Sequence, residues 1–132
     1  MEPQAGGEGL TIPEPVNVAG KFALFDDAWN PRIVAELNGQ QVKVARLRGE
    51  FIWHQHEHED ELFWVIRGRL RLRFRDRDVL LGEGEFQVVP RGVEHLPVAE
   101  TEEVWVVLFE PASTLNTGEA RNERTRETLE RL

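Results

Sequence analysis

Gly49–Gly68 reads G-E-F-I-W-H-Q-H-E-H-E-D-E-L-F-W-V-I-R-G, and the rest of the chain arranges itself around it. The stretch holds three of the four histidines, a dense run of carboxylates and an apolar segment that ends on glycine. His54 and His56 are two apart, so on extended backbone their imidazoles point to the same side. Glu61 follows after four residues, a gap long enough for a bend that returns its carboxylate to the same centre. The fourth histidine, His95, closes G-E-F-Q-V-V-P-R-G-V-E-H (84–95). Three imidazoles and one carboxylate are a competent donor set for a divalent transition metal.

Outward from this stretch the chain reads as strands. Leu62–Ile66 is followed by Gly68 and then by Arg69–Arg75, where Leu70, Leu72 and Phe74 alternate with four arginines. Asp76–Asp78 and Gly82–Gly84 are turns around Val79–Leu81, and Pro90-Arg91-Gly92 ends the strand Glu85–Val89. Val104–Phe109 is the last clear strand before Pro111, and 116–119 is a turn. Upstream, Ile33–Leu37 and Gln41–Arg48 flank Asn38-Gly39, the strongest short hairpin signal in the chain. Many short strands with glycine turns predict an all-β sandwich or barrel. The expected divisions are an N-terminal arm over 1–30, a barrel over 31–112 and a short C-terminal tail over 113–132. Val18, Phe22, Leu24, Phe25 and Trp29 make the arm too apolar to leave in water, so it should cover part of the barrel, in the same protomer or a neighbour. Residues 120–132 suit one polar helix with few anchors.

At 132 residues the chain suits one domain with a real core. A net charge of −8 argues against generic binding to nucleic acid or an anionic membrane. There is no cysteine, hence no thiolate ligand, disulfide or cysteine nucleophile. No secretory signal and no apolar run of transmembrane length is visible, which points to the cytoplasm. The arginine ladder in 69–75 reads as the solvated side of an amphipathic strand, paired with glutamates on neighbouring strands.

At these residues the chain resembles the cupin superfamily, whose first motif is G-x5-H-x-H-x3,4-E-x6-G and second G-x5-P-x-G-x2-H-x3-N. His54, His56, Glu61 and Gly68 fit the first, with Gly49 one residue too close. Gly84, Pro90, Gly92 and His95 fit the second, whose asparagine is replaced by Ala99. E-L-F-W-V-I-R-G-R-L and V-V-P-R-G-V-E-H-L-P-V-A-E look like small single-domain bacterial cupins, often labelled mannose-6-phosphate-isomerase-like. The resemblance implies a double-stranded β-helix (the cupin jelly-roll barrel) with a metal held in its mouth by His54, His56, Glu61 and His95. Mn, Fe, Co, Ni, Cu and Zn all suit such ligands. His58 and the neighbouring Glu57, Glu59 and Asp60 read as solvated mouth residues, one of which can serve as an outer carboxylate partner for a ligand histidine.

Leu62–Ile66 and Val104–Phe109 are apolar on both faces, which predicts a homodimer with Trp64 and Trp105 near its interface, unless the arm covers them. The pocket lining is expected from Phe51 or Trp53, Phe63, Phe86 or Val88, and the last strand, a lining for a small, partly apolar ligand. Two functions stay open: a metal-dependent enzyme acting on a small oxygenated molecule, and a non-catalytic small-molecule or metal-binding module.

Overall fold

The computed structural model describes residues 10–132; the first nine residues of the expected arm lie outside them. Asn38 and Gly39 both take positive φ (51° and 76°), the twist a two-residue hairpin turn requires. They join β1 (Arg32–Leu37) to β2 (Gln40–Leu47). The chain continues through β3 (Glu61–Arg67), β4 (Leu70–Phe74), β5 (Asp78–Leu81), β6 (Phe86–Val89), β7 (His95–Ala99) and β8 (Val104–Pro111). The strands form two antiparallel sheets, ordered β1-β2-β8-β3-β6 and β5-β4-β7. The all-β expectation holds.

The sheets face each other across one apolar core. Phe63, Val65, Val104 and Val106 from the larger sheet meet Leu70, Leu72 and Leu81 from the smaller. Alternation in β4 sends Leu70 and Leu72 into that core and leaves Arg71 outside, bonded to Glu100 and Asp78 from β5 and the end of β7. The arginine ladder is thus the wet side of a strand. Gly68 stands between β3 and β4 at φ 87°, and a Cβ there would meet Glu103 O at 2.6 Å. Only glycine fits so close to the start of β8.

A second apolar cluster lies on the outer face of β2 and β8. The short helix α1 (Val18–Phe22) is capped by the Asn17 side chain, which accepts from Gly20 N–H at 3.0 Å. It drops Phe22, fully buried, onto Val44 and Val107, and Phe22 stacks on Trp105 with ring centroids 4.6 Å apart. Arg46 fastens this segment by donating to Phe22 O and Phe25 O, and it also reaches Glu103. The arm therefore packs on its own barrel, and Phe22 covers one face of the half-buried Trp105. Trp64 stays 41% exposed beside Phe86 and Val88.

The expected tail helix is absent. Residues 120–132 form turns and bends, and no helix. Side chains there bond locally to backbone, Asn122 Oδ1 accepting from Arg124 N–H and Thr125 Oγ1 from Asn122 N–H, which competes with helical pairing. The end of the tail pairs with β1 instead, through Ile33 N–H to Glu130 O and Leu132 N–H to Ile33 O, both 2.9 Å.

Candidate metal centre

The crossing segment between β2 and β3 carries His54 and His56 to the first residue of β7. His54 N–H donates to His95 O at 3.1 Å and His95 N–H returns to His54 O at 2.9 Å. This bridge sets the two imidazoles side by side, with centroids 4.2 Å apart. His56 O accepts from Gly92 N–H, which ties the same loop to the turn before β7. Glu61, the first residue of β3, points inward between the rings: its Oε1 lies 3.3 Å from His56 Nε2 and 3.4 Å from His95 Nε2.

One donor atom from each of His54, His56, Glu61 and His95 lies within 4.8 Å of all the others, and all four residues are buried. His54 Nδ1 and His95 Nδ1 each sit 2.9 Å from a backbone carbonyl, of Ile52 and Val93. A carbonyl accepts only, so Nδ1 carries the proton and Nε2 keeps its lone pair for the centre. These outer partners are carbonyls, not the acidic mouth residues expected for that task. His56 Nε2, His95 Nε2 and Glu61 Oε1 have no hydrogen-bond partner. Buried polar atoms left this way cost about 1–3 kcal/mol each, and a cation would satisfy all three. The residues fit a metal ion.

Electrostatics points the same way. Burial, followed by the charge of His95, pushes His54 down from 6.5 to about 4, so it is neutral at physiological pH. Burial alone would raise Glu61, but the polar side chains of Glu110, His56 and His95 around it outweigh that and hold the carboxyl well below its ordinary range. Both groups are in the form a metal requires.

The remaining mouth residues behave as solvated groups. The His58 side chain is 81% exposed and faces only Glu57, at 3.9 Å. Asp60 pairs with Arg91, and Glu59 accepts from Ser113.

A narrow cavity of ≈ 40 Å³ opens beside the centre, walled by His54, Glu61, Phe51, Phe63, Val106 and Leu108. Three of the expected linings are there: Phe51, Phe63 and the last strand. Phe86 and Val88 are not, because β6 faces Gln87 and Val89 inward and leaves those two 60% and 44% exposed. Trp53 instead packs under the Arg75 guanidinium, 3.8 Å from its ring centroid. Trp29 also lines the cavity. Its N–H donates to Arg46 O and its indole to Arg48 O, which hold it at φ 58° while it stacks on Phe51.

Two further side chains were invisible in the sequence pattern. Lys43 and Glu110 form a buried ion pair, Nζ to Oε1 at 2.8 Å with both side chains 2% exposed, and Glu110 lies in the cavity wall. The hydropathy of β2 suggests Val42 and Val44 inside and Lys43 outside. The structure reverses it, because the arm covers Val42 and Val44 from the other side. The one readable sign was Ala45 and Leu47 in step with Lys43.

Two antiparallel sheets with a buried three-histidine, one-carboxylate set at one end define a jelly-roll of the cupin type. The Cupin domain family model matches residues 37–109, more than half of the chain, and the chain belongs to that family. Among solved structures, it is similar to a cupin-2 domain containing protein from Shewanella frigidimarina, at 45% identity and TM-score 0.71 over 73% of this chain and 93% of that one. It is also similar to protein NMB1881 from Neisseria meningitidis, at 30% identity and TM-score 0.69 over 75% of this chain and all of that one. The uncharacterized protein YdbB of Bacillus subtilis is 35% identical over 63 residues, 47% of this chain and 56% of that protein. Among the described residues, no helix is long and apolar enough to cross a membrane.

Proposed function

We propose that this protein is a metal-dependent enzyme acting on a small oxygenated molecule, with His54, His56, Glu61 and His95 as the metal ligands. The observation that carries the reading is the set of buried, partnerless donor atoms facing one another between His56, His95 and Glu61. A divalent ion there would supply Lewis-acid polarisation of a bound oxygen or, if iron or manganese, a place for dioxygen. The chain's own residues do the rest. The carbonyls of Ile52 and Val93 hold two imidazoles in one tautomer. Phe51, Phe63 and Leu108 give the space beside the ligands an apolar wall, and its ≈ 40 Å³ favours a small substrate.

Elemental analysis of untagged protein beside a His54→Ala, His56→Ala, His95→Ala variant tests the centre. Near-stoichiometric metal that vanishes in the variant supports it, and no metal after reconstitution refutes it. Enzymatic turnover is tested separately. Oxygen uptake over a panel of enols, diketones and catechols supports oxygenase chemistry. Stabilisation by ligands without turnover would assign the protein to the binding modules instead.

The division into arm (1–30), barrel (31–112) and tail (113–132), and a cytoplasmic location, belong to the same proposal. So does a homodimer through Trp64, Phe86 and Val88. These residues lie on β3 and β6, and β6 has a free edge. Sedimentation as a monomer at micromolar concentration would remove the dimer.

A further inference from the structure

A second cavity, polar and of ≈ 280 Å³, lies between the first half of β2 and the C-terminal tail. Lys43 borders it on the barrel side, and Thr114, Arg126 and Leu129 border it on the tail side. None of the four candidate metal ligands touches it. Most of its wall, from Ala112 to Arg131, lies beyond residue 109, where the match to the Cupin domain ends. The tail builds this space, and the histidine motifs do not. Two bonds hold the tail over it: Asn116 Oδ1 accepts from Arg126 N–H at 2.8 Å, and Glu130 O accepts from Ile33 N–H at 2.9 Å.

The charges around the cavity do not cancel. Lys43 is matched by Glu110, Arg131 by Glu36 and Glu127 by Arg121. Arg126 faces no carboxylate among the described residues, and its Nη1 donates to Glu123 O at 3.2 Å. A guanidinium carries five donors in a planar fork, so most of that fork is uncommitted. Thr114 is 7% exposed, and its hydroxyl has no hydrogen-bond partner. A buried hydroxyl in that state is costly unless something in the cavity meets it. One surplus positive charge beside an unpartnered hydroxyl suits a monoanion with two planar acceptor oxygens. A dianion would leave one charge unmatched in a half-enclosed space. Ile33, Ala112 and Leu129 give the same cavity an apolar side.

We propose that this cavity binds a small monocarboxylic acid, its carboxylate on Arg126 and Thr114 and its hydrocarbon part against Ile33 and Leu129. The inference is independent of the metal centre, and either can fail alone.

Full-length ¹⁵N-labelled protein, chelator-stripped and zinc-loaded, would be titrated with butyrate, with butyramide as its neutral counterpart, and with inorganic phosphate. Butyrate should shift the amide signals of Thr114, Arg126 and Lys43, with a dissociation constant on the order of 1 mM for so small a ligand. That constant should be the same with and without zinc. Butyramide should bind about tenfold more weakly or not at all. Thr114→Val keeps the side-chain shape and removes the partnerless hydroxyl. It should weaken butyrate about tenfold while the ligand-free melting temperature stays at or above that of wild type. Arg126→Gln should weaken butyrate about 10–100-fold. If Thr114 served only the fold, its valine variant would melt earlier and bind butyrate as wild type does.

No shift at Thr114 and Arg126 with millimolar butyrate would overturn the inference, and so would butyramide binding as tightly. Phosphate binding more tightly than butyrate would overturn the monocarboxylate assignment. Butyrate affinity that appears only with zinc would put the carboxylate on the metal and overturn it as well. Should Arg126→Gln disturb the tail, Thr114→Val decides alone, and an unchanged butyrate affinity there is fatal.

Discussion

The two ends of the β2–β8 pair share strands, register and inner face, yet they do opposite work. At one end Ala45, Leu47, Val104 and Val106 are dry core. At the other, Gln41, Lys43 and Glu110 are equally buried, next to Glu61. Alternation sends every second residue inward in both halves, so period two decides burial and says nothing about polarity. The polar half is tolerable because its groups pair with one another. One end holds the barrel together and the other borders the candidate centre. That separation predicts that substitutions at each end fail in different ways.

The largest effect should come from emptying the ligand set. The triple His54→Ala, His56→Ala, His95→Ala variant should go from near-stoichiometric metal to none by elemental analysis. Its metal-free melting temperature should not fall, because buried partnerless donors are removed with the rings. A collapse of the fold in that variant would break the comparison. Next, Leu72→Ala at the core end should cost about 2–5 kcal/mol in denaturant unfolding while leaving metal stoichiometry intact.

Acid sharpens the contrast. His54 stays neutral when folded until about pH 4 but takes a proton near 6.5 when unfolded. Stability is therefore unaffected by this group above 6.5, falls as pH drops from 6.5 to 4, and is flat below. The full loss is on the order of 3 kcal/mol in metal-free protein. Glu110 drifts the other way: burial and the neighbouring Glu61 charge raise it, so acidification relieves its penalty. The difference between wild type and His54→Asn unfolding curves isolates the histidine, and a pH-independent difference would refute the assignment. The smallest effect belongs to Phe86→Glu on the bare outer face. Folding stability should move by less than about 0.5 kcal/mol, while the dimer proposed above should be lost in sedimentation.

Much of this was legible beforehand, for reasons that differ by region. The histidine spacing, the Asn38-Gly39 turn and the Leu70–Phe74 alternation are local signals, and local geometry enforces them. The inward face of β2 is not legible locally because its polarity is set by two distant segments, the arm over Val42 and Val44 and the Glu110 carboxyl against Lys43. The β6 face was misassigned because Gln87, Val88 and Val89 carry no clean alternation. The tail looked helical by composition but is organised by Ile33 and by side-chain bonds that composition does not encode. Strand β7 is hidden by Pro97 in its middle, tolerated on the last strand of its sheet, where Pro97 O still accepts from Phe51 N–H.

Glu61 belongs to the five-stranded sheet and His95 to the three-stranded one, with His54 and His56 on the segment that crosses between them. An ion held by all four would be a rivet through both layers of the sandwich. Its removal should therefore be felt as breathing: amide protons of β3 and β7 should exchange faster together, though no strand touches more than one or two of the ligands. Loading then becomes a mechanical event as well as a chemical one, and deuterium uptake would record it without any substrate.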